Sequence, residues 1–329
     1  MRFIITGGAG FVGRWFTMQL LRDGHSVTVV DNLVNGGGGI DPTKEKWFVG
    51  DPTIFSNFQW LNQDCREFFK NYCREEIDVV IHLAAVVGGR LTIELNPLSV
   101  AEDLEIDSTF WRWVARVKPE HVIHFSSSAA YPIQLQTKDV AKLLVESDLN
   151  LEDIQGIPDL TYGWAKLTSE FTSRIAFEQF GVKVATYRPF SGYGEDQDLS
   201  YPFSSIAKRA VDAKKSESNF FEIWGSGMQS RDFIHITDVV RLVLSSYEEL
   251  DAFTPINLGT GIGTSFFQLA EYALELCNLE IQIKNQSDKP EGVFFRVADV
   301  SQMTKLGLKP TISVKEGMGR AINYWDERA

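Results

Sequence analysis

Short runs of β-branched and aliphatic residues alternate with longer stretches of helical spacing through the first half of the chain. The runs Arg2–Thr6, Ser26–Asp31, Val79–Leu83, Val122–Ser126 and Val182–Arg188 are nearly continuous in apolar residues, which predicts strands buried on both faces. Between them, Phe11–Asp23, Arg66–Glu75, Val100–Val117 and Tyr162–Phe180 read as helices; in the last, Leu167, Ile175 and Phe177 fall at roughly helical spacing. Strand, helix, strand repeated in this way predicts an α/β fold with a doubly wound parallel sheet. Asn35–Gly39, with its four successive glycines, and the acidic Asp148–Leu160 with Pro158 read as loops. After Arg188 the pattern becomes mixed: a helix at Phe203–Lys214, a strand at Phe220–Trp224, a helix at Ile236–Glu249 and a buried strand at Pro255–Leu258. The expected organisation is a first domain over 1–188 and a smaller mixed α/β lobe over 189–329, partly interleaved with the first.

Composition narrows the function classes. With 329 residues, 44% of them hydrophobic and 23% charged, the chain has material for a large core and is too apolar for a disordered segment. A net charge of -12 argues against a nucleic-acid or anionic-membrane surface, while leaving room for a local basic pocket. Cys65, Cys73 and Cys277 are too few and too scattered for a disulfide framework or a four-ligand zinc site, so no metal and a reducing, cytoplasmic setting are expected. The opening Phe3-Ile4-Ile5 meets Gly7 too soon for a signal-peptide core or a membrane span.

The first strand runs into Gly7-Gly8-Ala9-Gly10-Phe11-Val12-Gly13, glycines at G-x-x-G-x-x-G spacing between a strand and a helix. A turn without side chains lets backbone N–H groups approach a pyrophosphate, and the helix N-terminus adds partial positive charge. Asp31, with Asn32 after it, ends the second strand about 20 residues on, where a carboxylate accepts from a ribose diol and repels a 2′-phosphate. NAD is therefore expected in preference to NADP, on a Rossmann-type fold. Asp64 is a candidate for the adenine end. Leu83 ends the run Val79–Leu83 and Ala84-Ala85 follow it, and small residues at a strand's carboxyl end leave room for a ligand.

Tyr162-Gly163-Trp164-Ala165-Lys166 puts a phenol and an ammonium on one helix face. An ammonium there favours phenolate and is expected to lower the tyrosine pKa, making Tyr162 a base for a sugar hydroxyl. Upstream, Phe125-Ser126-Ser127-Ser128-Ala129-Ala130-Tyr131-Pro132 ends a strand in a serine cluster that offers a hydroxyl to the same substrate oxygen.

Glycine turn, Asp31, serine strand end and Tyr-x-x-x-Lys, in this order, resemble the extended short-chain dehydrogenases/reductases, the nucleotide-sugar epimerases and dehydratases, from Met1 to about Trp325. The resemblance implies that Tyr162 is the catalytic base, Lys166 its partner and the ligand of the nicotinamide ribose, and Ser127 the third catalytic group, with Ser128 and Ser191 near the substrate. Arg231, in Trp224-Gly225-Ser226-Gly227-Met228-Gln229-Ser230-Arg231-Asp232, and Arg296 would hold the diphosphate of a GDP- or UDP-sugar, for which a guanidinium fork is suited. A homodimer paired through two helices per subunit is also implied. His235 is expected to cap or pack.

Val87-Gly88-Gly89, the Tyr131-Pro132 ending and the Trp224 segment resemble the GDP-mannose 3,5-epimerase and GDP-fucose synthase branch. Those enzymes carry a cysteine acid/base two residues before the tyrosine matching Tyr131, where this chain has Ala129; the carboxylate of 4,6-dehydratases is absent there too. Ser191 replaces the usual Asn after Arg188-Pro189, and an Asn expected between Leu104 and Thr109 is missing. The reading that needs no further acid is a C4 epimerase. The alternatives are a 4,6-dehydratase, 3,5-epimerase, decarboxylase or 4-keto reductase using an acid/base such as Glu94 or Lys208, and a catalytically idle NAD-binding regulatory protein.

Overall fold

The first strand, β1 (Arg2–Thr6), is central because Phe3, Ile4 and Ile5 are buried among neighbours on both sides. This computed structural model describes residues 1–34, 37–72, 77–86, 90–216, 218–286 and 292–328, with 90–92 described by backbone alone. Parts of Asn35–Gly39, Arg66–Glu75 and the Pro290–Asp299 segment, with Cys73 and Val87-Gly88-Gly89, lie outside the described residues.

β1 leads through α1 (Phe11–Arg22) to β2 (Ser26–Asp31), then β3 (Phe58–Asn62), α2 (Cys65–Asn71), β4 (Val79–His82), α3 (Glu102–Val117), β5 (His121–Phe125), α4 (Leu160–Phe180) and β6 (Lys183–Pro189). With β10 (Ile256–Leu258), the strands form a seven-stranded sheet in the order β10-β6-β5-β4-β1-β2-β3. The pairs from β6 to β3 are all parallel, with Phe3 in register with Val27 on one side and Val79 on the other. Strand order reverses between β1 and β4, and ligands of such sheets bind at the carboxyl ends beside that reversal.

The chain divides into two compact units: Met1–Ala130 with Pro158–Arg188 and Val240–Ile256, and Tyr131–Ile157 with Pro189–Val239 and Asn257–Ala329. One core cluster of the first unit packs Phe68, Phe69, Phe110, Trp111 and Trp113 against Val80 and Val122. The second unit contains β7 (Ser191–Tyr193), α5 (Pro202–Lys215), β8 (Phe220–Trp224) and β9 (Ser230–His235). α6 (Ile236–Leu244) crosses from the second unit into the first, and β10 runs back across the other boundary. Beyond it lie β11 (Gly263–Ser265), α7 (Phe266–Leu276), β12 (Gln282–Gln286), β13 (Phe295–Arg296) and α8 (Val314–Asp326). β9 is flanked by β7, β11 and β13, while β12 pairs with β8; the core there joins Tyr193, Phe203, Phe221, Phe233, Leu269 and Met318.

The sequence reading of the parallel sheet matches the structure to within a residue or two at most ends, with informative differences. β3 was not expected: Gln59 and Asn62 are exposed while Phe58, Trp60 and Leu61 are half-buried, a pattern too weak to announce an outer strand. The stretch Val100–Val117 is broken at Ala101, with a short turn of helix over Pro97–Val100 before α3. α6 stops at Leu244, and Tyr247–Glu249 forms a separate 3-10 turn. No described helix is long and apolar enough to cross a membrane.

Candidate active site

Close packing requires the glycine turn. Gly7 has φ +70, and a Cβ there would lie 2.7 Å from the Ala84 nitrogen and the Leu83 carbonyl carbon. A Cβ at Gly13 would lie 2.4 Å from the Gly7 oxygen and the Gly8 Cα. These atoms are backbone and cannot turn aside, so the turn has no room for side chains at Gly7 and Gly13. Gly10 caps α1, whose first residues Phe11 and Val12 are half-buried. The loop after β4 is held by a Leu83 N–H bond to the Thr6 carbonyl, 3.0 Å, and places half-buried Leu83, Ala84 and Ala85 beside the turn.

Asp31 lies at the end of β2, accepting from the Ala9 N–H at 3.1 Å and the Leu33 N–H at 2.9 Å. Burial raises its pKa, opposed by these amides and by Arg14. One oxygen thus braces the glycine turn, and a carboxylate oxygen has a further lone pair for another donor. Arg14 is buried and donates to the carbonyls of Ala9 and Gly38, tying the turn to the loop after β2. Exposed Asn32 accepts from Val34 N–H. Asp64 caps α2 and makes a two-pronged pair with Arg66, at 3.0 and 2.7 Å, that holds its carboxyl below the usual range.

The chemistry-bearing side chains of the first unit converge. Ser127 lies two residues past β5, its hydroxyl accepts from the Ala129 N–H, and it acts to lower the pKa of the Tyr162 phenol. Ser128, Ala129 and Ala130 form a buried 3-10 turn pressed on the start of α4: Asp159 N–H donates to the Ala129 carbonyl, and a Cβ at Gly163 would meet that oxygen at 2.4 Å. The glycine after Tyr162 is thus needed for the tyrosine to approach the serine turn. Half-buried Tyr162 has the Lys166 ammonium 5.6 Å from its ring centre. The expected lowering of the Tyr162 pKa is corrected. Burial pushes the phenol up by more than Lys166 and Ser127 pull it down, and two carboxylates add to the rise. Burial lowers Lys166, but Tyr162, Asp107 and Asp103 outweigh it and keep the group cationic.

Those carboxylates, Asp103 and Asp107, were missed in the sequence, although their spacing of one turn within an apolar face was a signal. Asp107 meets His82 Nε2 at 3.2 Å, and His82 Nδ1 meets the Thr6 hydroxyl at 2.7 Å. Burial lowers the pKa of His82, and a neutral ring donating from Nε2 to Asp107 and accepting from Thr6 satisfies both contacts. One turn beyond Lys166, Glu170 grips Arg188 of β6 at 2.9 and 2.7 Å and accepts from the Ser126 hydroxyl, all three groups being buried. This links the Tyr162 helix to the strand end that carries Ser127.

In the second unit, Arg231 on β9 and Arg296 on β13 are register partners on adjacent parallel strands, both half-buried. Register partners project to the same face of a sheet, so two guanidinium groups share one patch. Arg296 is steadied by Gln136 at 2.6 Å, and Gln136 is itself buried, donating to the carbonyls of Tyr131 and Pro132. Ser191 begins β7 beside Phe233 of β9. His235 caps, with Nδ1 2.8 Å from the Thr237 hydroxyl. Of the alternative acid/base residues, Glu94 is exposed and Lys208 is bound to Asp212 at 2.6 Å.

Comparison with known proteins identifies the family and the fold. The chain is 26% identical to a UDP-glucuronate 4-epimerase of Thermodesulfobacterium geofontis, covering 99% of this chain and 96% of the relative. It is also 26% identical to GDP-mannose 3,5-epimerase 1 of Oryza sativa subsp. indica, covering 99% and 81%. The crystal structure of the UDP-glucose 4-epimerase of Thermotoga maritima with UDP-glucose superposes with a TM-score of 0.82 at 23% identity, over 100% of this chain and 99% of that one, which shows a shared fold. Residues 3–259 match the family model described as the NAD dependent epimerase/dehydratase family, and the chain belongs to that family.

Proposed function

We propose that this protein is an NAD-dependent nucleotide-sugar epimerase that inverts C4 of the sugar through a transient 4-keto sugar. The observation that carries the reading is Tyr162 on one helix face with a buried, cationic Lys166, with Ser127 favouring its phenolate and apolar Ala129 where relatives that invert C3 and C5 place an acid. Relatives named as 4-epimerases support it.

The bare glycine turn and Asp31 fit NAD, with Gly7, Gly10 and Gly13 at the pyrophosphate and Asp31 and Asn32 at the ribose. Bound there, NAD would supply the hydride acceptor, and as NADH the hydride donor, for chemistry at C4. Tyr162 removes the C4 hydroxyl proton and gives it back, while Ser127 holds the same oxygen. Lys166 lowers the energy of the phenolate against the burial that opposes it. Ser128 and Ser191 are substrate contacts in this reading, and Arg231 with Arg296 binds the diphosphate of a UDP- or GDP-sugar. Exposed Leu104 of α3 with Trp164 and Phe171 of α4 support a homodimer paired through these helices.

Tyr162 handles only an oxygen-bound proton, which gives the test. Incubated with UDP- and GDP-hexoses in deuterium oxide, the enzyme is expected to form the C4 epimer with no carbon-bound deuterium, read by mass and proton NMR. Deuterium at C3, or at C5 without loss of water, would reject the C4 reading, and deuterium at C5 with loss of water would indicate a 4,6-dehydratase, in which hydride returns to C6 and solvent supplies the C5 proton.

A further inference from the structure

Asp103 and Asp107 stand one turn apart on α3 and are 1% and 6% exposed. A carboxylate so placed requires compensation, because burial without partners costs far more than a side chain recovers by packing. One oxygen of Asp107 meets His82 Nε2 at 3.2 Å, and its other oxygen has no hydrogen-bond partner among the described residues. One oxygen of Asp103 accepts from the Val86 N–H at 2.6 Å, and the other, equally sealed, has no hydrogen-bond partner among the described residues.

The charged and titratable groups around Asp103 are Lys166 and Tyr162 from α4 and Asp107 and Glu102 from its own helix, with His82 of β4 and His124 of β5 beyond Asp107. Burial lowers the pKa of both histidines, that of His124 to about 4, and they are neutral at physiological pH. The buried set therefore holds two carboxylates against one ammonium when both aspartates are ionised. This excess negative charge sits at the cofactor crevice: Val86 lies two residues past Ala84, which packs on Gly7, and Lys166 is the group expected at the nicotinamide ribose.

We propose that Asp103 sets the oxidation-state preference of the bound nicotinamide, its ionised carboxylate favouring the positively charged oxidised ring over the neutral reduced one. The inference rests on the NAD reading above. Its consequence is a cofactor that is a stronger hydride donor when reduced, which favours return to the 4-keto sugar over its escape. Burial pushes the Asp103 carboxyl up to about 7, against Lys166 and the Val86 amide. The bias is therefore full above neutrality and declines as Asp103 takes a proton below it. Tyr162 and Lys166, both raised, titrate above this window.

The test is calorimetric titration of cofactor-stripped protein with NAD+ and with NADH at about pH 6 and about pH 8.5, either side of neutrality. The wild-type preference for NAD+ is expected to grow about fivefold from the acid to the alkaline condition, equivalent to about 1 kcal/mol. Asp103→Asn should hold a constant preference at the wild-type acid value. A flat wild-type ratio, or a variant that keeps the wild-type slope, overturns the proposal, and the wild-type comparison decides it alone if the variant does not fold. Wild type that binds neither form overturns the NAD reading itself, a result distinct from a flat ratio.

Discussion

Replacing Glu170 by Ala tests the packing argument beneath the Tyr162–Lys166 pair. Arg188 is 0% and Glu170 3% exposed, and their two hydrogen bonds are joined by a third from Ser126. Removing the carboxylate takes the Glu170 charge and two hydrogen bonds away from a guanidinium buried in the first unit. Breaking a buried pair from one side costs about 3–5 kcal/mol. Urea unfolding followed by tryptophan fluorescence should show that loss as a lower midpoint with an unchanged slope. Glu170→Gln, which keeps the volume and an acceptor for Ser126, should fall between wild type and Ala. Burial pushes the Glu170 carboxyl up, but Arg188 and Ser126 outweigh it and hold it below the usual range. A depressed carboxylate contributes its full stability above the unfolded-state value of about 4.3 and loses it as pH falls through the lower folded value. The gap between wild type and Glu170→Ala should therefore be constant between about pH 6 and pH 8 and close only in acid. A gap under about 1 kcal/mol at neutral pH, the size of an exposed pair, would refute the assignment of this ion pair as a buried tie.

Tyr162→Phe should keep the fold and cofactor binding yet lose turnover by about a hundredfold or more; steady-state rates and a melting curve check both halves. Because burial raises the Tyr162 pKa, wild-type turnover should climb as pH rises through the alkaline range, and a profile that falls there would count against Tyr162 as the base. Arg231→Ala should weaken nucleotide-sugar binding about tenfold or more, the worth of a charge-assisted pair, with NAD affinity unchanged; equal substrate affinity by calorimetry would remove Arg231 from the diphosphate site. Asp31→Ala should narrow the preference for NAD over NADP, since it deletes the charge that repels a 2′-phosphate, and wild type with equal affinity for both would contradict the role given to Asp31.

Much of the first unit is legible in the chain because its signals are local. Continuous apolar runs announce β1, β2, β4, β5 and β6, and glycines with Asp31 mark the crevice because few residues tolerate backbone contact as close as that at Gly7. Tyr162 and Lys166 are legible for the same reason, since a spacing of four on a helix fixes a shared face. The second unit hides β7, β9, β11 and β13, short strands of two to six residues whose polar positions break any alternation. A signal was available for α7: Ser265 and Gln268 cap one another's backbone in the pattern that begins a helix.

The sequence by itself determined the parallel sheet, the bare turn, the acid at the second strand and the Tyr-Lys pair, because each depends on residues within a strand or a helical turn. Tertiary structure alone decided which charges meet. It set Asp103 and Asp107 around Lys166, closed Glu170 on Arg188, and put Arg231 beside Arg296. It also reversed the expected shift of Tyr162, because the desolvation that raises a phenol depends on the packing around it and the field of its neighbours on their distances, neither of which a one-dimensional pattern contains.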